Sequence, residues 1–99
     1  MRMYNRMMSR CVPGPGGCIM WTGAVGKNGY GNIGLWNPRR IEYVHRLAYR
    51  VEVGPIPEGY QIDHVRKSGC TSILCVNRHH LEAVTQAENL RRQHERQLA

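Results

Sequence analysis

The sequence has no phenylalanine, only 7 acidic residues, and no apolar run long enough to span a bilayer. Each shortage excludes something. With no Phe and 11 glycines among 99 residues, a single small domain has a thin core. A loop-rich fold of this size needs a staple, either a metal or a disulfide. Set against 14 Lys and Arg, the 7 Asp and Glu leave a net charge of +7, which points to a polyanionic partner, nucleic acid first, through phosphate contacts and counterion release. The plainer alternative is a soluble basic protein with no such partner. The start, Met1-Arg2-Met3-Tyr4-Asn5-Arg6, lacks the apolar stretch of a signal peptide. The expectation is a cytoplasmic chain with reduced thiols and no membrane contact. There is no internal repeat, long low-complexity tract or coiled-coil heptad.

The four cysteines lack Cys-X-X-Cys spacing, which disfavours a thiol redox protein. In a reducing compartment they read better as metal ligands. Four residues separate Cys70 from Cys75, and four more separate Cys75 from His80. A loop of that length can fold back and aim thiolates and an imidazole at one point, the donor set of tetrahedral Zn²⁺. The fourth ligand must come from Cys18 or Cys11. Cys18 is preferred because it abuts an expected strand rather than a Pro-Gly linker. Such a site is architectural, since four protein ligands leave no position for water. Two alternatives stay open: His79 in place of His80, and Cys70 and Cys75 as buried apolar residues or a disulfide.

Residues 1–10 are rich in Met and Arg without periodicity, and 12–17 (Val-Pro-Gly-Pro-Gly-Gly) is a turn-forming linker. The expected organisation is a flexible segment, 1–17, ahead of one domain, 18–99. Cys18 to Trp21 and Gly29 to Trp36 read as strands. Asn37-Pro38-Arg39-Arg40 turns the second back into Ile41-Glu42-Tyr43. Alternating glycines would let this ribbon bend and approach a ligand closely. Val44, Leu47, Ala48 and Val51 form an apolar stripe of helical period that ends at Gly54-Pro55. Tyr60 to His64 and Leu81 to Val84 are strands around a Cys-rich loop. Thr85 and Glu88 form a capping box for a helix to about Gln97.

Asp63 and His64 are adjacent near a strand end, so their side chains leave on opposite faces; a bend there could let both border one cleft. Asn89, early in the capped helix, can face back toward it. Asp and Asn oxygens suit a hard divalent cation such as Mg²⁺, and a histidine can draw a proton from an attacking water. Arg39 and Arg40 sit at the ribbon tip, where strands could enter a groove; an ordinary solvated turn is the equal alternative. Arg46, Arg50, Arg66 and Lys67 lie near the expected cleft as phosphate contacts. Arg91, Arg92 and Arg96 would fit any solvated helix face, and Trp21, Tyr30 and Trp36 read as core residues rather than stacking platforms.

Several stretches together resemble small phage-type HNH endonucleases. They are the run from Cys18 to Gly23, Gly29-Tyr30-Gly31, Val44 to Tyr49, Gly54 to Gly59, Ile62-Asp63-His64, Cys75-Val76-Asn77, His80-Leu81-Glu82 and Val84 to Arg91. The zinc spacing is similar to that of His-Cys box homing endonucleases, which share the ββα-metal active site. The resemblance covers roughly residues 18 to 92. It implies an α+β, small ββα-metal fold with an N-terminal β-ribbon and a structural zinc site. It implies His64 as general base, Asn77 as brace of the loop that orients it, and Asp63 and Asn89 on a catalytic Mg²⁺ or Mn²⁺. Cys18, Cys70, Cys75 and His80 would match the zinc ligands, and His45 would join the DNA contacts, the alternative being a packed helix residue. The substrate would be double-stranded DNA, cut to 5′-phosphate and 3′-hydroxyl products in the host cytoplasm if the chain is phage-encoded. Cutting both strands would call for a homodimer. Arg78 stands where the family commonly has Pro, and Asn89 where it often has His. The rival expectation is a non-catalytic zinc-containing DNA-binding module.

Overall fold

The structure is a computed structural model describing residues 2–35, 39–65, 69–70 and 72–98, with backbone only at 2, 3, 35 and 96–98. Trp36, Asn37 and Pro38 of the expected turn, and the expected phosphate contacts Arg66 and Lys67, lie outside the described residues. Three antiparallel hairpins surround one central helix. The order is α1 (Arg2–Met8), β1 (Cys11–Pro13), β2 (Ile19–Trp21), β3 (Asn32–Leu35), β4 (Arg40–Tyr43), α2 (Val44–Glu52), β5 (Tyr60–His64), β6 (Leu81–Thr85) and α3 (Gln86–Leu98). Single 3₁₀ turns cover Pro15–Gly17 and Arg78–His80. The pairs are β1–β2, β3–β4 and β5–β6. The fold is α+β, as expected, and no helix among the described residues is long and apolar enough to cross a membrane.

α2 forms where the apolar stripe foretells it, with a small rotation. Val44, Leu47 and Ala48 are buried, but so is His45, while Val51 is exposed. The hairpin of β5 and β6 pairs in regular register from Tyr60↔Thr85 to His64↔Leu81, and α3 lies across it. Its amino end is capped as predicted, the Glu88 N–H donating to Thr85 Oγ1 at 3.2 Å. The reciprocal half of the box is replaced: the Glu88 carboxylate takes Arg91 and Arg92.

Two expectations need correction. The amino-terminal segment is not a loose arm: α1 inserts Met7, fully buried, into the core, with Tyr4 and Met8 packed beside it, and the Tyr4 hydroxyl donates to Glu52. Within the ribbon, Gly31 makes room for protein rather than ligand. A Cβ on Gly31 would run into the Trp21 ring and Val44. Trp21 is itself core, its indole N–H donating to the Ala24 carbonyl at 2.9 Å.

Candidate active site and metal centre

Cys18, Cys70, Cys75 and His80 are all buried, and their donor atoms lie within 4.8 Å of one another. Cys18 Sγ is 4.0 Å from Cys70 Sγ and 3.6 Å from His80 Nδ1, and Cys75 Sγ is 3.4 Å from that nitrogen. Zn–S bonds of about 2.3 Å and Zn–N bonds of about 2.0 Å at tetrahedral angles place sulfurs about 3.8 Å apart and sulfur and nitrogen about 3.5 Å apart. The donors therefore fit a tetrahedral ion. Burial pushes the Cys75 thiol up to about 12, and it raises Cys70 too, Cys18 adding to both. Three crowded sulfurs ionise together only around a cation. Neither Cys70 nor Cys75 is in a disulfide, so the disulfide alternative does not hold.

Local structure explains the convergence. β2 hydrogen-bonds to the cysteine-rich loop, Trp21 N–H to the Leu74 carbonyl at 3.0 Å and Val76 N–H to the Ile19 carbonyl at 2.8 Å. That register brings Cys18, just ahead of β2, against Cys75. Cys11 is half-buried and donates instead to the Met7 carbonyl at 3.3 Å. The Arg78–His80 turn buries His80 and exposes His79. Gly69 has φ +99°, and a Cβ there would meet the Gly16 carbonyl oxygen at 2.8 Å, so the loop closes only with glycine. Asn77 caps its own turn and ties it to the turn ahead of β2: its Oδ1 accepts from the His79 N–H at 2.9 Å, and its Nδ2 donates to the Gly17 carbonyl at 2.7 Å.

β5 carries Asp63 and His64 without the expected bend, since pairing stays regular through His64. Their side chains leave on opposite faces. Asp63, buried, faces α3, where Arg92 holds it at 3.1 Å. The same guanidinium reaches Glu88 at 2.9 Å and Glu82 at 3.2 Å, and these carboxylates raise its pKa. Asn89 also faces β5, its amide donating to Gln61 Oε1 at 2.5 Å. His64 faces the other way, buried, with Nε2 3.0 Å from the Cys75 carbonyl oxygen. Its ring centroid is 5.1 Å from that of His45 and 6.3 Å from that of Tyr30.

His45, expected as a phosphate contact, is a packed helix residue. It is 6 % exposed, flanked by Tyr30 at 5.3 Å and Tyr43 at 5.5 Å, and its Nδ1 has no hydrogen-bond partner among the described residues. Burial first, then the neighbouring His64 and Arg46 charges, lowers its pKa to about 3. Arg46 donates to the Tyr60 carbonyl at 3.4 Å, and Arg50 pairs with Glu42. Sequence reasoning missed the Arg92–Asp63 ion pair and the tyrosines around His45. The i,i+4 spacing of Glu88 and Arg92 was a visible signal for half of the Arg92 network.

The β5–β6 hairpin, the helix across it and the zinc-type cluster beneath are the layout of a small metal-stapled nuclease fold. The sequence model of a family described as HNH endonuclease matches residues 42–91. Among curated proteins the chain is 35% identical over 72 residues to "Protein 7.7" of Escherichia phage T7, covering 73% of this chain and 51% of that protein. It is 29% identical over 89 residues to "Protein 2.8" of the same phage, covering 90% and 58%. It is 30% identical over 81 residues to "Uncharacterized gene 5.3 protein" of Enterobacteria phage T3, covering 77% and 76%. The chain thus spans little more than half the length of the two phage T7 proteins. No solved structure matches. The chain belongs to the HNH endonuclease family.

Proposed function

We propose that the chain is a divalent-cation-dependent endonuclease that hydrolyses a phosphodiester bond of duplex DNA, with His64 as general base. The observation that carries this reading is the contact of His64 Nε2 with the Cys75 carbonyl. A carbonyl only accepts, so Nε2 carries the proton and Nδ1 is the basic nitrogen. Cys75 is also a ligand of the metal-type cluster, so the group that fixes the ring is itself held by the staple. Asn77, bound to Gly17 and His79, keeps that loop in place, which is a bracing role rather than direct contact with the base.

β5 has a strand partner on one side only among the described residues. A phosphate lying across its open edge could be reached from both faces, because neighbouring Cα atoms are about 3.8 Å apart. Asp63 and Asn89, with oxygen donors on the α3 side, are the residues that would hold Mg²⁺ or Mn²⁺. When bound, such an ion supplies Lewis-acid neutralisation of charge on the phosphate and the departing 3′ oxygen. His64 takes a proton from the attacking water, whose oxygen bonds to phosphorus as the P–O3′ bond breaks. The products are a 5′-phosphate and, after protonation by solvent, a 3′-hydroxyl.

A second reading, a DNA-binding module that does not cut, is favoured by one observation: Arg92 already pairs with one oxygen of the Asp63 carboxylate. Supercoiled plasmid incubated with Mg²⁺ separates the two. The first reading expects nicking, lowered about 10²–10⁴-fold in His64→Ala with DNA affinity and zinc content retained. Retarded but intact plasmid with wild-type protein supports the second. Cutting by His64→Ala at the wild-type rate removes His64 from the chemistry.

A further inference from the structure

Two rungs tie α3 to the β5–β6 hairpin. Gln61 and Asp63 are two positions apart on β5 and so face the same side, together with their register partners Val84 and Glu82 on β6. Asn89 and Arg92 are three positions apart on α3, so both can face back toward that side. One rung is ionic, Arg92 to Asp63 at 3.1 Å. The other joins two amides, the Asn89 Nδ2 donating to Gln61 Oε1. At about 3.3 Å per residue, the two rungs leave β5 only about 7 Å apart.

The direction of the amide rung has a chemical consequence. A side-chain amide can hold a cation only through its oxygen, while its NH₂ end repels one. The two ends diverge from a single carbon, so an amide whose nitrogen is bound to Gln61 turns its oxygen away from that residue. Donation from the nitrogen also shifts charge onto the oxygen and makes it a better metal ligand. Asn89 gains from both effects, because a neutral amide is a weaker ligand than a carboxylate. The donor set suits a hard divalent ion: Asp63 is a buried carboxylate that already has a cation beside it, and Asn89 adds an oxygen about one helical turn from Arg92.

We propose that Gln61 is a positioning residue for the divalent cation: by accepting from Asn89 Nδ2 it presents Asn89 Oδ1, alongside Asp63, as a ligand. The proposal rests on the reading of Asp63 and Asn89 as the residues that hold Mg²⁺ or Mn²⁺. The rival role for the pair is a plain tether of α3 to the hairpin, for which volume at position 61 is enough. Two substitutions separate the roles. Gln61→Met keeps the length and removes the acceptor. Gln61→Glu keeps the acceptor and has no donor, so it fixes the Asn89 amide in the same sense.

The measurement is calorimetric titration of zinc-loaded, DNA-free protein with Mn²⁺, which does not compete for a thiolate site. Gln61→Met is expected to weaken Mn²⁺ binding about 10–100-fold with zinc content unchanged. Gln61→Glu is expected to bind at least as tightly as wild type. A second readout needs no metal: the hydrogen-bonded Asn89 side-chain N–H proton, seen by ¹⁵N NMR, is expected to move upfield in Gln61→Met and to stay in place in Gln61→Glu. Wild-type Mn²⁺ affinity in Gln61→Met, with Asn89→Ala weakened, overturns the role of Gln61 and leaves the nuclease reading intact. Equal weakening in Gln61→Met and Gln61→Glu overturns it too, since the acceptor is then irrelevant. Wild-type affinity in Asn89→Ala, or no Mn²⁺ uptake by wild-type protein, removes the metal assignment itself and this inference with it.

Discussion

Cys18→Ala cuts one strut of the metal cluster and leaves three ligands within the loop from Cys70 to His80. The expected loss follows from chain length. Cys18 and His80 are 62 residues apart, and cross-linking a loop of that size removes about 4 kcal/mol of unfolded-state entropy on the disulfide relation. A metal joint imposes the same kind of closure. A domain near 100 residues has about 5–15 kcal/mol in all, so this single change takes a large share of it. At about 4–8 °C per kcal/mol, the thermal midpoint falls by roughly 15–30 °C. Thermal unfolding followed by circular dichroism, with zinc release read by a colorimetric chelator, measures both. Cys11→Ala is the control, because its thiol makes only one local bond to Met7; it should cost about 1 kcal/mol or less. If Cys18→Ala unfolds within about 1 kcal/mol of wild type, or if Cys11→Ala is the variant that loses zinc, the assignment of the fourth ligand and the loop argument both fail.

Arg92→Gln removes the cation beside Asp63, a carboxylate 7 % exposed, and is expected to cost about 3 kcal/mol in urea unfolding. Millimolar Ca²⁺ should return part of that loss by taking over the guanidinium's place, and indifference to both changes would show that Asp63 depends on neither. His45 makes the fold acid-sensitive: its folded pKa lies near 3 and its unfolded value near 6.5. Between those values the unfolded chain binds a proton that the folded chain refuses, so stability is full above about pH 6.5 and falls as pH drops. From about pH 6.5 to about pH 5 the contribution lost is about 1.5 kcal/mol. Protonation of the zinc thiolates is common to wild type and His45→Leu, so the difference between their pH–stability curves isolates this contribution. Parallel curves would refute it.

Much of the frame was legible because its signals are local. The stripe of Val44, Leu47 and Ala48 and the Thr85 cap act within a few residues, so α2 and the start of α3 fall where the sequence puts them. Three of the four metal-type ligands share one short loop and could be read from spacing. Cys18 was preferred over Cys11 because it abuts an expected strand; that this strand, β2, pairs with the loop is a long-range contact that only the structure shows. α1 escaped notice although Tyr4, Met7 and Met8 recur at helical spacing, because seven residues are too few for periodicity to stand out and tertiary packing of Met7 decides the matter. The alternation of Asp63 and His64 was legible, whereas the straightness of β5, Arg92 on Asp63 and the tilted His45–His64 ring contact were not. Those last contacts join residues far apart in sequence, and only the packing of α2 and α3 on the same hairpin brings them about.

β4 passes into α2 with no intervening loop, Tyr43 ending the strand and Val44 opening the helix, whose N–H is bound to the Gly31 carbonyl at 3.1 Å. Arg40, opening the strand, and His45, against the imidazole of His64, are therefore five positions apart with no loop between them. A pull on the hairpin cannot be absorbed by slack between them. The ring of His45, 5.1 Å from that of His64, is thus tied to the hairpin through continuous backbone with no flexible joint between them.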